Sequence, residues 1–269
     1  MAIITISRGT YTKGKEIAEK VARKLGYGCI AREAVIDASK ALNVPEFKLV
    51  RALHDAPSLL DGLTYGREKF IAHYQVAFLE HLLQDNVVYH GLAGHFLLRN
   101  VSHALKVRII ADIADRIQWE MERESISEKE ATRILRNDDE ERRKWSLHIY
   151  GVDTNDSSLY DLIINLRRLS VEDAVDIICH AVKLDHFKTT PASQEVFKNM
   201  LLAARVKTAI LDYAPDAKVH AENGIVYVQT SAPADHEDTL GKVIKKAASD
   251  VPDVVETKVY IMPIIPFGD

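Results

Sequence analysis

The densest chemical signal in the chain lies close to its amino terminus. Gly9, Thr10, Tyr11, Thr12, Lys13, Gly14 and Lys15 fit G-x4-G-K, after the apolar run 2–6 and before a helical period. Glycines at those two positions let the backbone turn tightly, so that several N–H groups converge on phosphate oxygens. The amino terminus of a helix adds a favourable dipole, and Lys15 adds a mobile positive charge that can follow a phosphoryl group in transfer. The magnesium-binding Ser or Thr that usually follows such a lysine is here Glu16. Arg8 leads into the loop, and the whole run 8–16 is the candidate phosphate-binding segment.

A second cluster is cationic. In RILRNDDEERRKW, residues 133–145, Arg136, Asp139 and Arg143 are spaced i, i+3 and i+7, which puts them on one face of a helix, with Arg142 alongside. Phosphoryl transfer is mostly positioning and charge stabilisation, so arginines closing over the phosphates are what the loop at 9–15 requires. The plainer explanation is a solvated helix laced with salt bridges, and the loop is what favours the functional one. His90, His95 and His103 suit no common zinc spacing; His90 and His95 are the pair able to face an acceptor pocket. Asp112 and Asp115 follow a strand end, where α/β enzymes place ligands, but serve equally as a helix cap and a first-turn acid. Asp85 and Asp139 are weaker candidates for organising magnesium or activating an acceptor.

These residues need a frame. Short apolar runs alternate with helical periods through residue 184, the mark of crossover units on a parallel sheet. Strands are expected over 2–6, 86–90, 106–111 and 160–166, with helices over 14–25, over parts of 32–84, after Asp112, from Ser127 and from Ser170. Ile17, Val21 and Leu25 mark one apolar face of the first helix, and Gly26 its stop. The stretch 184–194 loses periodicity and carries Pro191, as a linker would. Beyond it a helix, two strands joined at Asn223-Gly224, a helix and a last strand form an αββαβ unit. The expected fold is therefore α/β, a parallel sheet flanked by helices, followed by a small α+β domain.

A formal charge of −4 argues against nucleic acid or an anionic membrane as the partner of the whole chain. With only two cysteines a disulfide framework is not expected, and no run approaches the length of a membrane span. A cytoplasmic protein is expected.

The run ITISRGTYTKGKEIAEKVARKLGYGCIAREAVIDAS resembles the start of the cytidylate kinase-like family of P-loop kinases. The resemblance continues through VVYHGLAGHFLLRNVSHALKVRIIADIADRI, residues 87–117, and YDLIINLRRLSVEDAVDII, residues 160–178. It implies a P-loop kinase domain over 1–185, with ATP and magnesium as cofactors and a nucleotide or other small phosphate acceptor as substrate. In that family a Glu stands where Glu16 does, so magnesium is expected to be held through water or substrate phosphates. The resemblance also puts Arg116 against the donor base, makes Arg136, Arg142 and Arg143 lid arginines, and places Arg32, Gly91 and His95 on the acceptor side. Departures fall at Ala31, where the family has an acid, and at Gly91-Leu92-Ala93, where it has Gly-Arg-Gly. Gly9, Thr12 and Lys13 replace its Glu, Ser and Gly.

Residues 196–269, after a linker at 186–195, resemble a BON domain in the hairpin DAKVHAENGIVYVQ and the ending DVPDVVETKV. Residues 193–269 carry eight Lys and Arg against eleven Asp and Glu, which suits an interaction or dimerisation module better than an anionic lipid surface. Two functions stand side by side: a phosphotransferase acting on a nucleoside monophosphate or other small acceptor, or a nucleotide-binding sensor signalling through the second domain.

Overall fold

The computed structural model describes residues 2–8, 12–31, 33–42, 66–91 and 94–264. Strand β1 (Ile3–Arg8) lies at the centre of a parallel sheet ordered β2-β3-β1-β4-β5. Its neighbours are β3 (Val87–His90) and β4 (Ala104–Ile110), and the edges are β2 (Gly28–Ile30) and β5 (Leu162–Asn165). A strand covered on both faces is mainly apolar, and Ile3, Ile4 and Ile6 are fully buried. Of the five, β2 is the strand that was not expected. It is a three-residue edge piece, too short for a periodic signature.

The helices of this part are α1 (Gly14–Leu25), α2 (Glu33–Leu42), α3 (Gly66–Leu82), the single turn α4 (Gly94–Leu97), α5 (Ile113–Glu124), α6 (Glu128–Tyr150) and α7 (Val171–Ala181). Helices α1 and α7 cover one face of the sheet, where Ile17, Val21 and Ile178 meet Ile4, Val107 and Ile109. On the other face, Phe70, Tyr74 and Phe78 of α3 pack on Tyr89 and Leu98. The expected breaks at Pro45 and Pro57 fall on residues 43–65, outside the described residues. Ser127 caps α6 by accepting from the Glu130 amide at 3.3 Å, and Ser170 with Asp173 forms a complete capping box on α7.

The segment expected to be a linker holds the first turns of helix α8 (Pro191–Ile210), five residues earlier than the apolar periodicity indicates. Thr190 and Ser193 exchange capping bonds of 2.9 and 3.1 Å, and Pro191 takes the first helical position. A polar capped turn has no hydrophobic period to read. Beyond α8 come β6 (Lys218–Glu222), β7 (Ile225–Pro233), α9 (Glu237–Ser249) and β8 (Glu256–Ile264), in the expected αββαβ order. Strand β6 is antiparallel to β7, and β8 is parallel to it. Asn223 and Gly224 turn the hairpin with φ of 52° and 81°. Helix α8 belongs to two cores. Phe197, Leu201 and Ala204 pack with α3, while Leu202, Val206 and Ile210 pack under the second sheet. Among the described residues no helix is long and apolar enough to cross a membrane.

Candidate functional site

In an open parallel sheet, ligands sit beyond the carboxyl ends of the strands. A cavity of about 400 Å³ lies there, walled by Ser7 of β1, Thr12 just before α1, Gly91 and His95 after β3, and Arg108 of β4. Arg116 of α5 and Asp139, Arg142, Arg143 and Trp145 of α6 close it from the other side. Its lining brings together four guanidinium groups and the two carboxylates of Asp139 and Glu140, a balance that favours an anion.

The described part of the phosphate loop enters α1 at Lys13, whose backbone is left-handed with φ of 55°. That conformation costs a residue bearing a Cβ about 1 kcal/mol, which is the physical reason a glycine suits the position. Lys13 gives no side-chain cap to α1, and the first N–H groups of a helix are donors suited to an anion. Its Nζ stands 4.6 Å over the Trp119 ring. Thr12 is buried and its Oγ1 donates to the Ile109 carbonyl at 3.4 Å. Lys15 is exposed on the first turn of α1, 3.7 Å from Glu19, and Glu16 pairs with Lys20 at 2.8 Å. Arg8 closes β1. Gly9, Thr10, Tyr11 and Arg32 lie outside the described residues.

On the α5–α6 side, Arg116 is buried and its Nη2 meets Asp139 Oδ2 at 2.7 Å, tying α5 to α6. Arg143 Nε donates to Asp153 Oδ2 at 2.8 Å. The Asn155 backbone N–H and then Arg143 hold the Asp153 carboxyl below the usual range. The helical face read from the sequence thus brings Asp139 and Arg143 to the cavity with Arg142. Arg136 is exposed and stands outside the lining. Asp112 occupies the cap position of α5, but its carboxylate pairs with Arg167 at 3.2 Å instead of capping. Asp85 is away from the cavity, bound to Gln194 of α8 at 2.8 Å and 3.4 Å from His103.

The cavity floor is built around Arg108. Its Nη1 donates to the Thr154 carbonyl at 2.7 Å and to Tyr160 Oη at 2.9 Å, and its Nη2 to Asn155 Oδ1 at 3.0 Å. His95 lies 3.3 Å from Tyr160 Oη and packs its ring between Phe96 and Tyr160. Burial, with Arg108 second, pushes the His95 imidazole down to about 3, so it is neutral around pH 7. Gly91 and Gly94 are bare because a Cβ at either would run into the Tyr89 ring, at 2.6 Å in the case of Gly94.

Sequence reasoning missed Arg108, Tyr160, Asn155 and Trp145. One signal existed: in ALKVRII, a strand of the parallel sheet, Arg108 alternates with the buried Val107 and Ile109. A cation inside a parallel strand needs a reason, and this one has the cavity. Among the described residues no three His, Cys, Asp or Glu side chains stand together to hold a metal ion.

Residues 3–168 match the model of the cytidylate kinase-like family. The cytidylate kinase of Pyrococcus horikoshii is 32% identical over 189 residues, covering 68% of this chain and 88% of that protein. That of Archaeoglobus fulgidus is 32% identical over 195 residues, covering 69% and 97%. Among solved structures, an uncharacterized protein from Eubacterium ventriosum shares the fold with a TM-score of 0.53 at 22% identity, covering 67% of this chain and 97% of its own. With its central phosphate-loop strand, its parallel five-stranded sheet and a match over most of that domain, the chain belongs to the cytidylate kinase-like family.

Proposed function

We propose that the chain is an ATP-dependent phosphotransferase acting on a nucleoside monophosphate or another small acceptor. The observation that supports it best is a single cavity shared by Ser7 and Thr12 of the phosphate-loop region and by Arg116, Arg142 and Arg143 of the lid side. The quoted relatives are cytidylate kinases, so CMP is the first acceptor to try.

In this reading the loop amides, the start of α1 and Lys15 hold the donor phosphates. An acceptor oxygen attacks the γ-phosphorus while the bond to the β-phosphate oxygen breaks, and ADP leaves with that oxygen's charge. The charge spread over the transferring group is met by Arg143 and Arg142, with Arg116 on the donor side and Arg136 brought in only by lid movement. Asp139 and Asp153 hold Arg116 and Arg143 until phosphates take their place. Gly91, His95 and Arg32 belong to the acceptor side. Magnesium, carried on ATP with its own waters, would supply neutralisation of phosphate charge.

Residues 1–185 are then the kinase domain and 196–269 a BON-like module for a protein partner or a second copy, in a cytoplasmic protein. One observation favours the sensor as a second reading: α8 is shared by both cores, so a change in the kinase domain would be felt by the module.

The test is a panel of nucleoside monophosphates with ATP and magnesium. Turnover on CMP or UMP that Lys15→Ala lowers by at least about 100-fold is expected. ATP binding with no acceptor phosphorylated would replace this function by the sensor.

A further inference from the structure

Arg108 is tied into the cavity floor by hydrogen bonds to three residues, and nothing in the phosphate-loop pattern accounts for it. It stands on β4 opposite Ser7, beside the strand that feeds the loop. A guanidinium has five N–H donors in one plane. Three of them are engaged among the described residues, by Thr154 O, Tyr160 Oη and Asn155 Oδ1. The two that remain are Nε–H and one hydrogen on Nη2, on adjacent nitrogens of the same plane. That is the spacing at which arginine grips a phosphate or carboxylate in a two-pronged contact. Among the described residues no carboxylate lies within salt-bridge distance of Arg108, unlike Arg116 and Arg143. The three existing bonds fix the plane of the group in advance, so little side-chain freedom is lost on binding.

The surroundings select an anion. His95 beside it is held neutral, so it neither competes as a cation nor repels as an anion. Gly91 and Ser7 line the same cavity without adding charge.

We propose that Arg108 is an acceptor-binding residue, taking an anionic group of the acceptor, a phosphate in the first instance, through Nε–H and Nη2–H. The proposal rests on the phosphotransferase reading, which it narrows to an acceptor that carries an anion before transfer.

Calorimetric titration of the full chain with CMP and separately with ATP tests it, on wild type, Arg108→Gln and Arg108→Lys. Loss of a two-pronged charged contact is expected to weaken CMP about 10- to 100-fold in Arg108→Gln. ATP is expected to stay within about threefold, and Arg108→Lys, which keeps the charge without the fork, to fall between. A parallel loss of CMP and ATP affinity, or an unchanged CMP affinity, would overturn the proposal and leave Arg108 as a staple. If wild type binds ATP but not CMP, the acceptor reading fails by itself. Inorganic phosphate added to ADP-saturated protein then decides: weaker phosphate binding in Arg108→Gln upholds the clamp, and equal binding overturns it.

Discussion

His95 sits on the cavity wall between two aromatic rings and close to a guanidinium, and each neighbour bears on its proton. Water is excluded, which disfavours the charged imidazolium, and Arg108 repels it further. Its folded value lies near 3 against an ordinary 6.5, so the unfolded chain binds the proton first. The sign follows: this contribution to stability is whole above about pH 6.5 and is lost progressively as pH falls toward 3. Chemical denaturation between pH 7 and 4 should therefore show a slope in wild type of up to about 1.4 kcal/mol per pH unit that His95→Asn lacks. An identical slope in the two proteins would mean that His95 is not buried neutral. His95 and Gly91 could be read from the sequence because the family resemblance marks that stretch. Arg108 could not, because its position depends on β4 lying directly beside β1, a pairing between residues about one hundred apart in the chain.

Helix α8 shows the same limit at the scale of elements. Its apolar positions 197, 201 and 204 face α3, and 202, 206 and 210 face the second sheet, so its apolar residues do not form one stripe. A helix buried on two sides blurs the period by which a surface helix is recognised. The elements that were legible, β1 followed by α1 and the β6–β7 hairpin, are those with strong local rules, a loop pattern in one case and Asn-Gly in the other. Phe197 is 1% exposed and packs against His103 as well as the α3 aromatics. Phe197→Ala should cost about 3–5 kcal/mol and lower the melting of both parts of the chain together. Two separate transitions, with only the C-terminal one shifted, would show that α8 does not couple them. The surface pairs Arg205–Glu80 and Lys69–Asp212 across the same junction contribute far less, because both are substantially exposed.

At the scale of the molecule, one sheet carries the phosphate loop and its cavity and a second, three-stranded sheet is bolted to it through α8. The domain order was legible from composition and element pattern, since βα alternation gives way to a hairpin-centred unit near residue 190. How firmly the two parts join was not, because the joint is tertiary packing. The central claim is that the loop over residues 9–15 binds the phosphates of a nucleoside triphosphate with Lys15 as its mobile charge. The direct measurement is the affinity of the full chain for ATP with magnesium, by calorimetry, beside Lys15→Ala at matched folding by circular dichroism. Saturable one-to-one binding that Lys15→Ala weakens at least about tenfold is the expected result. Equal affinity in the two proteins, or no binding of any nucleoside triphosphate by wild type, would contradict it.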